Sequence, residues 1–357
     1  MTLDDEKNYA KLDHGQVAKS IEVLPDQIRQ VLEESRLIKI PREYSQCAHV
    51  VINGMGGSNL GARIIKALFA DQIKVPILIS PGYGVPAYVG KSTLYIISSY
   101  SGSTEEPLST YQVAKKKGAK IMAITMHSAK NPLEKLMLKD DIPGYIFTPQ
   151  FNPSNQPRLG VGYTIFGTMV MMAKAGLFKI DVKEIEDIIG EMEIWGRGLK
   201  PVKNTKTNPA KKIAQTIWGR IPVLVGAEFL QGNLHVMRNQ INECAKQFST
   251  YLSLPELNHY AMESLNFPTE NKDNLIFFFL KSKLYSPRIL KRLDLTKRVV
   301  EKNKIVAFEY ELRGQSKIAQ GFELLQLGSW VSYYLGMLNG VDPVKIPWVD
   351  WFKEQLK

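Results

Sequence analysis

Nine short apolar runs, separated by stretches of a different period, constrain this chain more than any other feature. Five fall in the first half: His49–Asn53, Val75–Ser80, Thr93–Ser98, Lys120–Thr125 and Tyr145–Thr148. Four recur in the second: Ile221–Gly226, Ser249–Leu254, Asn274–Leu280 and Ile305–Glu311. Thr93–Ile97 is a largely apolar run rich in β-branched residues, which suits a parallel strand buried on both faces. Helical spacing fills gaps at Asn59–Phe69 and Thr104–Lys117, then at about Phe229–Lys246 and Pro287–Asn303. Strands alternating with helices predict an α/β fold in which each half is a parallel β-sheet flanked by helices. The halves share a plan without sharing a sequence. Gly196–Pro209, rich in Lys, Asn, Thr and Pro, follows a helical stretch at Ile185–Trp195 and reads as a linker. The expected domains are therefore 1–195, including an N-terminal helical segment, and 210–357, with 196–209 between them. Gln16–Glu34 is amphipathic and is expected to pack on the first sheet as one extra helix. Gly160–Gly176 reads as a buried helix between domains, and Ser316–Leu338 as a long apolar helix ended by Gly340 and Pro343.

A length of 357 residues agrees with about two domains. The net charge of +11 admits nucleic acid, a membrane surface or an anionic metabolite as partner. Lys and Arg are scattered, however, and Lys115-Lys116-Lys117 falls on the polar face of a predicted helix. Only a bias toward anionic small ligands survives, so neither nucleic acid nor membrane is expected. Val161–Ala173, the most membrane-like stretch, is ended by Lys174 and is too short to span. Two cysteines, Cys47 and Cys244, argue against a disulfide framework and fit a reducing cytoplasm. The polar, acidic N-terminus does not read as a signal peptide.

Function is concentrated at the ends of two predicted strands. Ser98-Ser99-Tyr100-Ser101-Gly102-Ser103-Thr104 leads from a strand into a helix that begins near Glu105. Free N–H groups, the positive helix end and the hydroxyls of Ser99, Ser101 and Thr104 suit one phosphate. Ser and Thr also favour helix caps, so capping competes with anion binding here. The first strand opens into Gly54-Met55-Gly56-Gly57-Ser58-Asn59-Leu60-Gly61. A dinucleotide fingerprint fails because Asn59 replaces its third glycine and no acidic residue ends the second strand. No Walker sequence follows either. Two such loops at neighbouring strand ends mark a ligand site in an open α/β sheet. The five histidines show no paired metal-ligand spacing, and Cys47-Ala-His49 leads into a strand without further ligands. No Gly-x-Ser-x-Gly elbow is present. Glu243, near a helix end, and His259, after a proline break, read equally well as solvated or core residues and as chemistry.

Taken together these segments resemble the bifunctional phosphoglucose/phosphomannose isomerases, built from two sugar isomerase (SIS) domains. The resemblance runs over nearly the whole chain, through Gly54–Gly61, Ser98–Glu106, Pro157-Arg158-Leu-Gly-Val-Gly-Tyr, Asn242-Glu243, Pro255-Glu-Leu-Asn-His259 and the tail from Gly340 to Lys353. It implies that Ser99, Ser101 and Thr104 bind the phosphate and that Gly57 and Ser58 contact substrate. It implies further that Arg158 lies near C1 and C2, that Glu243 is the catalytic base, that His259 opens the ring and that Lys353 assists it. Ser103 stands where the family usually shows Asn, and Val344–Phe352 departs from the common form.

The implied activity is aldose–ketose exchange of glucose 6-phosphate, and also mannose 6-phosphate, with fructose 6-phosphate through a cis-enediolate. No cofactor or metal is implied. The implied assembly is a homodimer with the site at the subunit interface and the histidine contributed by the partner. The competing readings are another SIS-type sugar-phosphate isomerase and a non-catalytic phosphosugar-binding protein. The isomerase half of a glucosamine 6-phosphate synthase is disfavoured because no glutaminase domain precedes residue 49.

Overall fold

The computed structural model describes residues 2–5 and 7–356. Two short helices, α1 (Lys7–Ala10) and α2 (Val17–Glu22), precede α3 (Leu24–Glu34). The break at Val23 divides the expected Gln16–Glu34 helix in two, and Pro25 sits in the first turn of α3, where a missing N–H costs nothing. The chain then forms two α/β units. Val23–Glu191 is the first; the chain up to Glu22 and from Met192 onward is the second. Only α3 therefore belongs to the first unit, where it packs on the helix Val161–Lys174, and α2 packs on the last long helix of the second unit.

The first unit alternates β1 (His49–Gly54), α4 (Leu60–Leu68), β2 (Ile77–Ile79), β3 (Thr93–Ser98), α5 (Glu105–Lys116), β4 (Lys120–Met126), α6 (Pro132–Lys139), β5 (Gly144–Phe147) and α7 (Val161–Lys174). Its five strands are all parallel in the order β2-β1-β3-β4-β5. β3 lies in the centre with every residue buried, as its unbroken apolar sequence requires. On one face Val51, Tyr95, Ile97 and Ala123 pack against Tyr111 and Ala114 of α5 and Leu133 and Met137 of α6. Burying one large apolar side chain there contributes about 1.5–3 kcal/mol. α7, buried along nearly its whole length, packs within this unit against α3, α4, β4 and β5.

α8 (Val182–Arg197) carries the chain into the second unit, which continues with α9 (Pro209–Ile217), β6 (Ile221–Ala227), α10 (Gln231–Cys244), β7 (Thr250–Leu254), α11 (Asn271–Asn274), β8 (Leu275–Lys281), α12 (Pro287–Lys302), β9 (Val306–Glu311), α13 (Lys317–Leu338) and α14 (Pro347–Gln355). Its four parallel strands run β7-β6-β8-β9. α13 is buried from Ile318 to Leu338 and packs on α9 and α10. Its one buried acid, Glu323, is matched by N–H groups of Arg313 and Gly314 at 2.7 and 3.0 Å, the Arg313 Nε at 2.9 Å and the Tyr310 hydroxyl at 2.9 Å. The Gly196–Pro209 stretch is tied into this unit. Asn208 donates to the Leu199 and Lys200 carbonyls at 3.0 and 3.3 Å. The fully buried Lys211 ammonium donates to the Leu3 and Pro201 carbonyls at 2.6 and 2.8 Å. No described helix is long and apolar enough to cross a membrane.

Candidate active site

In the first sheet β1 pairs with β2 on one side and β3 on the other, so the strand order reverses between β1 and β3. Open α/β sheets bind ligands at such a point, beyond the carboxyl ends of the strands. The register pairs Gly54 with Ser98, so both strands end level and their loops emerge side by side. Two hydrogen bonds join those loops. The Ser98 hydroxyl donates to the Ser58 carbonyl at 2.7 Å, and the Tyr100 N–H donates to the Ser58 Oγ at 2.8 Å. Gly57 faces a third segment, the 3-10 turn Pro157–Leu159: a Cβ there would stand 3.3 Å from the Arg158 Cα. Arg158 is buried, and its Nη1 donates to the Gln156 Oε1 at 3.1 Å. Gly57, Ser58 and Arg158 are thus neighbours of the loop that follows β3.

In that loop the hydroxyl at the helix start does not cap the helix. Thr104 occupies the N-cap of α5, yet its side chain accepts no hydrogen bond from the helix. The Ser99 hydroxyl donates to the Thr104 Oγ1 at 3.0 Å instead and accepts from the Gly102 N–H at 3.1 Å. Ser101 accepts from the Ser103 hydroxyl at 3.1 Å. The hydroxyls pair among themselves, Ser99 with Thr104 and Ser103 with Ser101, and the Thr104 hydroxyl is not consumed by the helix. Thus the helix end keeps its orphan N–H donors and its partial positive charge. Ser103, in the place of the family's Asn, is exposed and interacts only within the loop. Glu105 accepts from the Tyr83 hydroxyl at 3.1 Å, and this bond is the main cause of the raised Tyr83 pKa.

Residues without chemistry of their own hold this arrangement, and residue type alone does not mark them. Gly102 has φ +66°, and a Cβ on it would fall 1.7 Å from the Asn131 Oδ1. Asn131 is itself fixed, donating to the Thr125 Oγ1 at 2.7 Å and the Met126 carbonyl at 2.5 Å and accepting from the Glu134 N–H at 3.0 Å. Its signal in the sequence is the capping pattern Asn131-Pro132-Leu-Glu134. Tyr100 accepts from Asn152 at 2.9 Å, and Asn152 also donates to the Gln156 carbonyl at 3.0 Å. The loop after β3 is thereby fastened to the turn that carries Arg158.

The remaining sequence-predicted residues belong to the second unit, and its own elements set them apart. Glu243 is half-buried in the last turn of α10, just before the chain enters β7. The preceding Asn242 accepts from the Ser249 N–H and hydroxyl, each at 2.8 Å, and so locks the end of α10 to the start of β7. His259 is exposed and follows the far end of β7, in the 3-10 turn Glu256–His259. A five-residue strand spans roughly 16 Å, so Glu243 and His259 flank opposite ends of one strand. Lys353 is exposed on α14, alongside Trp348, Trp351 and Phe352, which are 81, 56 and 57% exposed.

The second sheet reverses its strand order between β6 and β8, at the position equivalent to the reversal between β1 and β3. There the Glu228 carboxylate, after β6, accepts from the Ser286 hydroxyl at 2.7 Å and the Ser286 N–H at 3.3 and 3.4 Å. Ser286 is the N-cap of α12. An acidic side chain of the protein thus already lies at this helix start. Among the described residues no three His, Cys, Asp or Glu side chains gather as a metal site.

A family model described as the bacterial phospho-glucose isomerase C-terminal SIS domain matches residues 206–356. A bifunctional phosphoglucose/phosphomannose isomerase of Caldicellulosiruptor bescii is 31% identical over 347 residues, covering 95% of this chain and 98% of that one. A protein of the same name from Thermoplasma acidophilum is 31% identical over 317 residues, covering 87% and 90%. Among solved structures, a hypothetical protein of Thermus thermophilus superposes with a TM-score of 0.74 at 14% identity, covering 99% of this chain and 92% of that one. A glucose-6-phosphate isomerase of Chlamydia trachomatis gives 0.66 at 14%, covering 93% and 72%. At such identities the structural likenesses speak for the fold.

Proposed function

Because the chain belongs to the bifunctional phosphoglucose/phosphomannose isomerase family, we propose that it interconverts glucose 6-phosphate and mannose 6-phosphate with fructose 6-phosphate. The observation that carries this reading is the cradle between β1 and β3. There the Ser99–Thr104 loop, whose Thr104 hydroxyl is not spent on capping, is fastened both to Gly57-Ser58 and to the Arg158 turn. Ser99, Ser101, Thr104 and the N-terminus of α5 grip the phosphate dianion. The binding energy of that remote group is used to hold C1 and C2 in register for reaction. Gly57 and Ser58 contact the sugar.

Glu243 takes the proton from C2 and delivers it to C1, or the reverse, leaving a cis-enediolate between the two transfers. A positioned carboxylate contributes about 10²–10⁴ in rate. Arg158 stabilises the negative charge that develops on the enediolate oxygens. His259 and Lys353 move the proton between the ring oxygen and the C1 hydroxyl, which opens the pyranose or furanose. The chemistry needs no metal or organic cofactor. Ring opening and proton transfer occur on adjoining atoms of one sugar, whereas Glu243 and His259 flank opposite ends of β7. We therefore assign the working unit as a homodimer in which each site takes its histidine from the partner subunit. The two cysteines, Cys47 and Cys244, are buried and suit a cytoplasmic protein.

Coupled assays with glucose 6-phosphate and mannose 6-phosphate separately test the activity. Glu243→Gln is expected to abolish turnover of both while fructose 6-phosphate still binds, as measured by calorimetry. Near-wild-type turnover in that variant would sink the assignment. Binding of fructose 6-phosphate without conversion by the unmodified protein would make it a phosphosugar sensor instead.

A further inference from the structure

We propose that Arg292 is a positioning residue for ring opening and that it acts on His259 through the side chain of Asn258. This rests on the role given to His259 above. The His259 imidazole is exposed and makes no hydrogen bond to any described residue. Its neighbour, by contrast, is held on both edges. The Asn258 Oδ1 accepts from the Arg292 Nη1 at 3.0 Å, and the Asn258 Nδ2 donates to the Thr296 Oγ1 at 2.7 Å. Thr296 is buried, and its hydroxyl donates to the Arg292 carbonyl at 2.7 Å. The clamp therefore comes from consecutive turns of one helix, α12, and both of its arms end on one carboxamide.

The turn that carries the histidine is anchored besides by the buried Leu257 and by a contact of the Asn258 Nδ2 with the Met262 sulfur at 3.6 Å. Its closing backbone bond runs from the Asn258 N–H to the Pro255 carbonyl at 3.0 Å. Tyr260, on the other side, is 56% exposed. Beyond the clamp lies an open groove of about 480 Å³ lined by His259, Met262, Arg288, Lys291 and Leu295. An imidazole presented from so open a turn keeps its direction only if the peptide preceding it is immobile. A planar guanidinium suits that task better than an ammonium, because its donors keep a fixed geometry. Misplacing a catalytic group by about 1 Å can cost about 100-fold in rate, so a clamp one residue away has leverage on the reaction.

The test compares Arg292→Gln, Arg292→Lys and Asn258→Ala with His259→Gln in the full-length protein. Exchange between the anomers of fructose 6-phosphate, followed by NMR, reports ring opening directly. Affinity for 5-phosphoarabinonohydroxamate, an acyclic mimic of the enediolate, reports the part of the site that needs no ring opening. Arg292→Gln and Asn258→Ala are each expected to slow anomer exchange and lower kcat about tenfold, with hydroxamate affinity changed less than twofold. Combining them should add little, since they act as one unit. Arg292→Lys keeps the charge without the fork and should restore only part of the loss. Unchanged anomer exchange in folded Arg292→Gln and Arg292→Lys overturns the proposal, as does hydroxamate affinity falling in step with turnover. If His259→Gln itself leaves anomer exchange intact, the role of His259 fails, and with it the reason for the clamp.

Discussion

At the scale of single residues, what separates a phosphate loop from a well-capped helix is where the hydroxyls point. Ser99, Ser101 and Thr104 are all acceptable cap residues, and their sequence does not tell the two uses apart. The structure directs the Thr104 hydroxyl to Ser99 and away from the N–H groups of α5. Thr104→Val should therefore cost about 0.5–1.5 kcal/mol in urea unfolding, because the one bond lost is the part-buried one from the Ser99 hydroxyl. The same change should raise KM for the sugar phosphate about tenfold. A cap would lose stability and keep KM, so the rise in KM is what tells the two uses apart. Arg158 is another case in which type was legible and setting was not. Its place in a buried turn against Gly57 depends on a contact between residues far apart in the chain, and no local pattern encodes that.

At the scale of elements, each of the nine described strands lies at one of the short apolar runs read from the sequence. The central strands of a parallel sheet are buried on both faces, and this leaves the strongest signature in a sequence. β2 is the strand most shortened against expectation, and it is an edge strand that follows Pro76. α6 and α9 are not among the helices expected from spacing, although α4, no longer than α9, is. Both nevertheless begin with Asn-Pro, and in both the Asn side chain accepts a hydrogen bond from the third residue on, Glu134 at 3.0 Å and Lys211 at 3.1 Å. Start signals here outperform spacing. Asn208 does more than cap, since its amide also holds the Leu199 and Lys200 carbonyls. Asn208→Ala should accordingly cost more than an ordinary cap, about 2–3 kcal/mol, seen as a lower urea midpoint. Isomerase kinetics measured well below that midpoint should not change.

At the scale of the whole molecule, the separation of Glu243 from His259 along β7 makes a prediction that mixing can check. Glu243→Gln and His259→Gln homodimers should both be impaired. After the two are unfolded and refolded together, hybrid dimers hold one site with both residues native. Random assortment should then restore about a quarter of wild-type activity, given a closed two-fold dimer. No recovery would mean that each chain supplies both residues to its own site. The two sheets bear on a different whole-molecule property. Glu228 rests against the N-cap of α12 at the reversal point of the second sheet, and the corresponding place in the first sheet is ringed by hydroxyls. A protein built twice on one plan invites the expectation of two equivalents of ligand. An anion supplied by the chain itself is tethered beside its place, and its high effective concentration outcompetes dilute phosphate in solution. Calorimetric titration with fructose 6-phosphate should therefore saturate at one molecule per chain, and the binding isotherm should show a single class of sites.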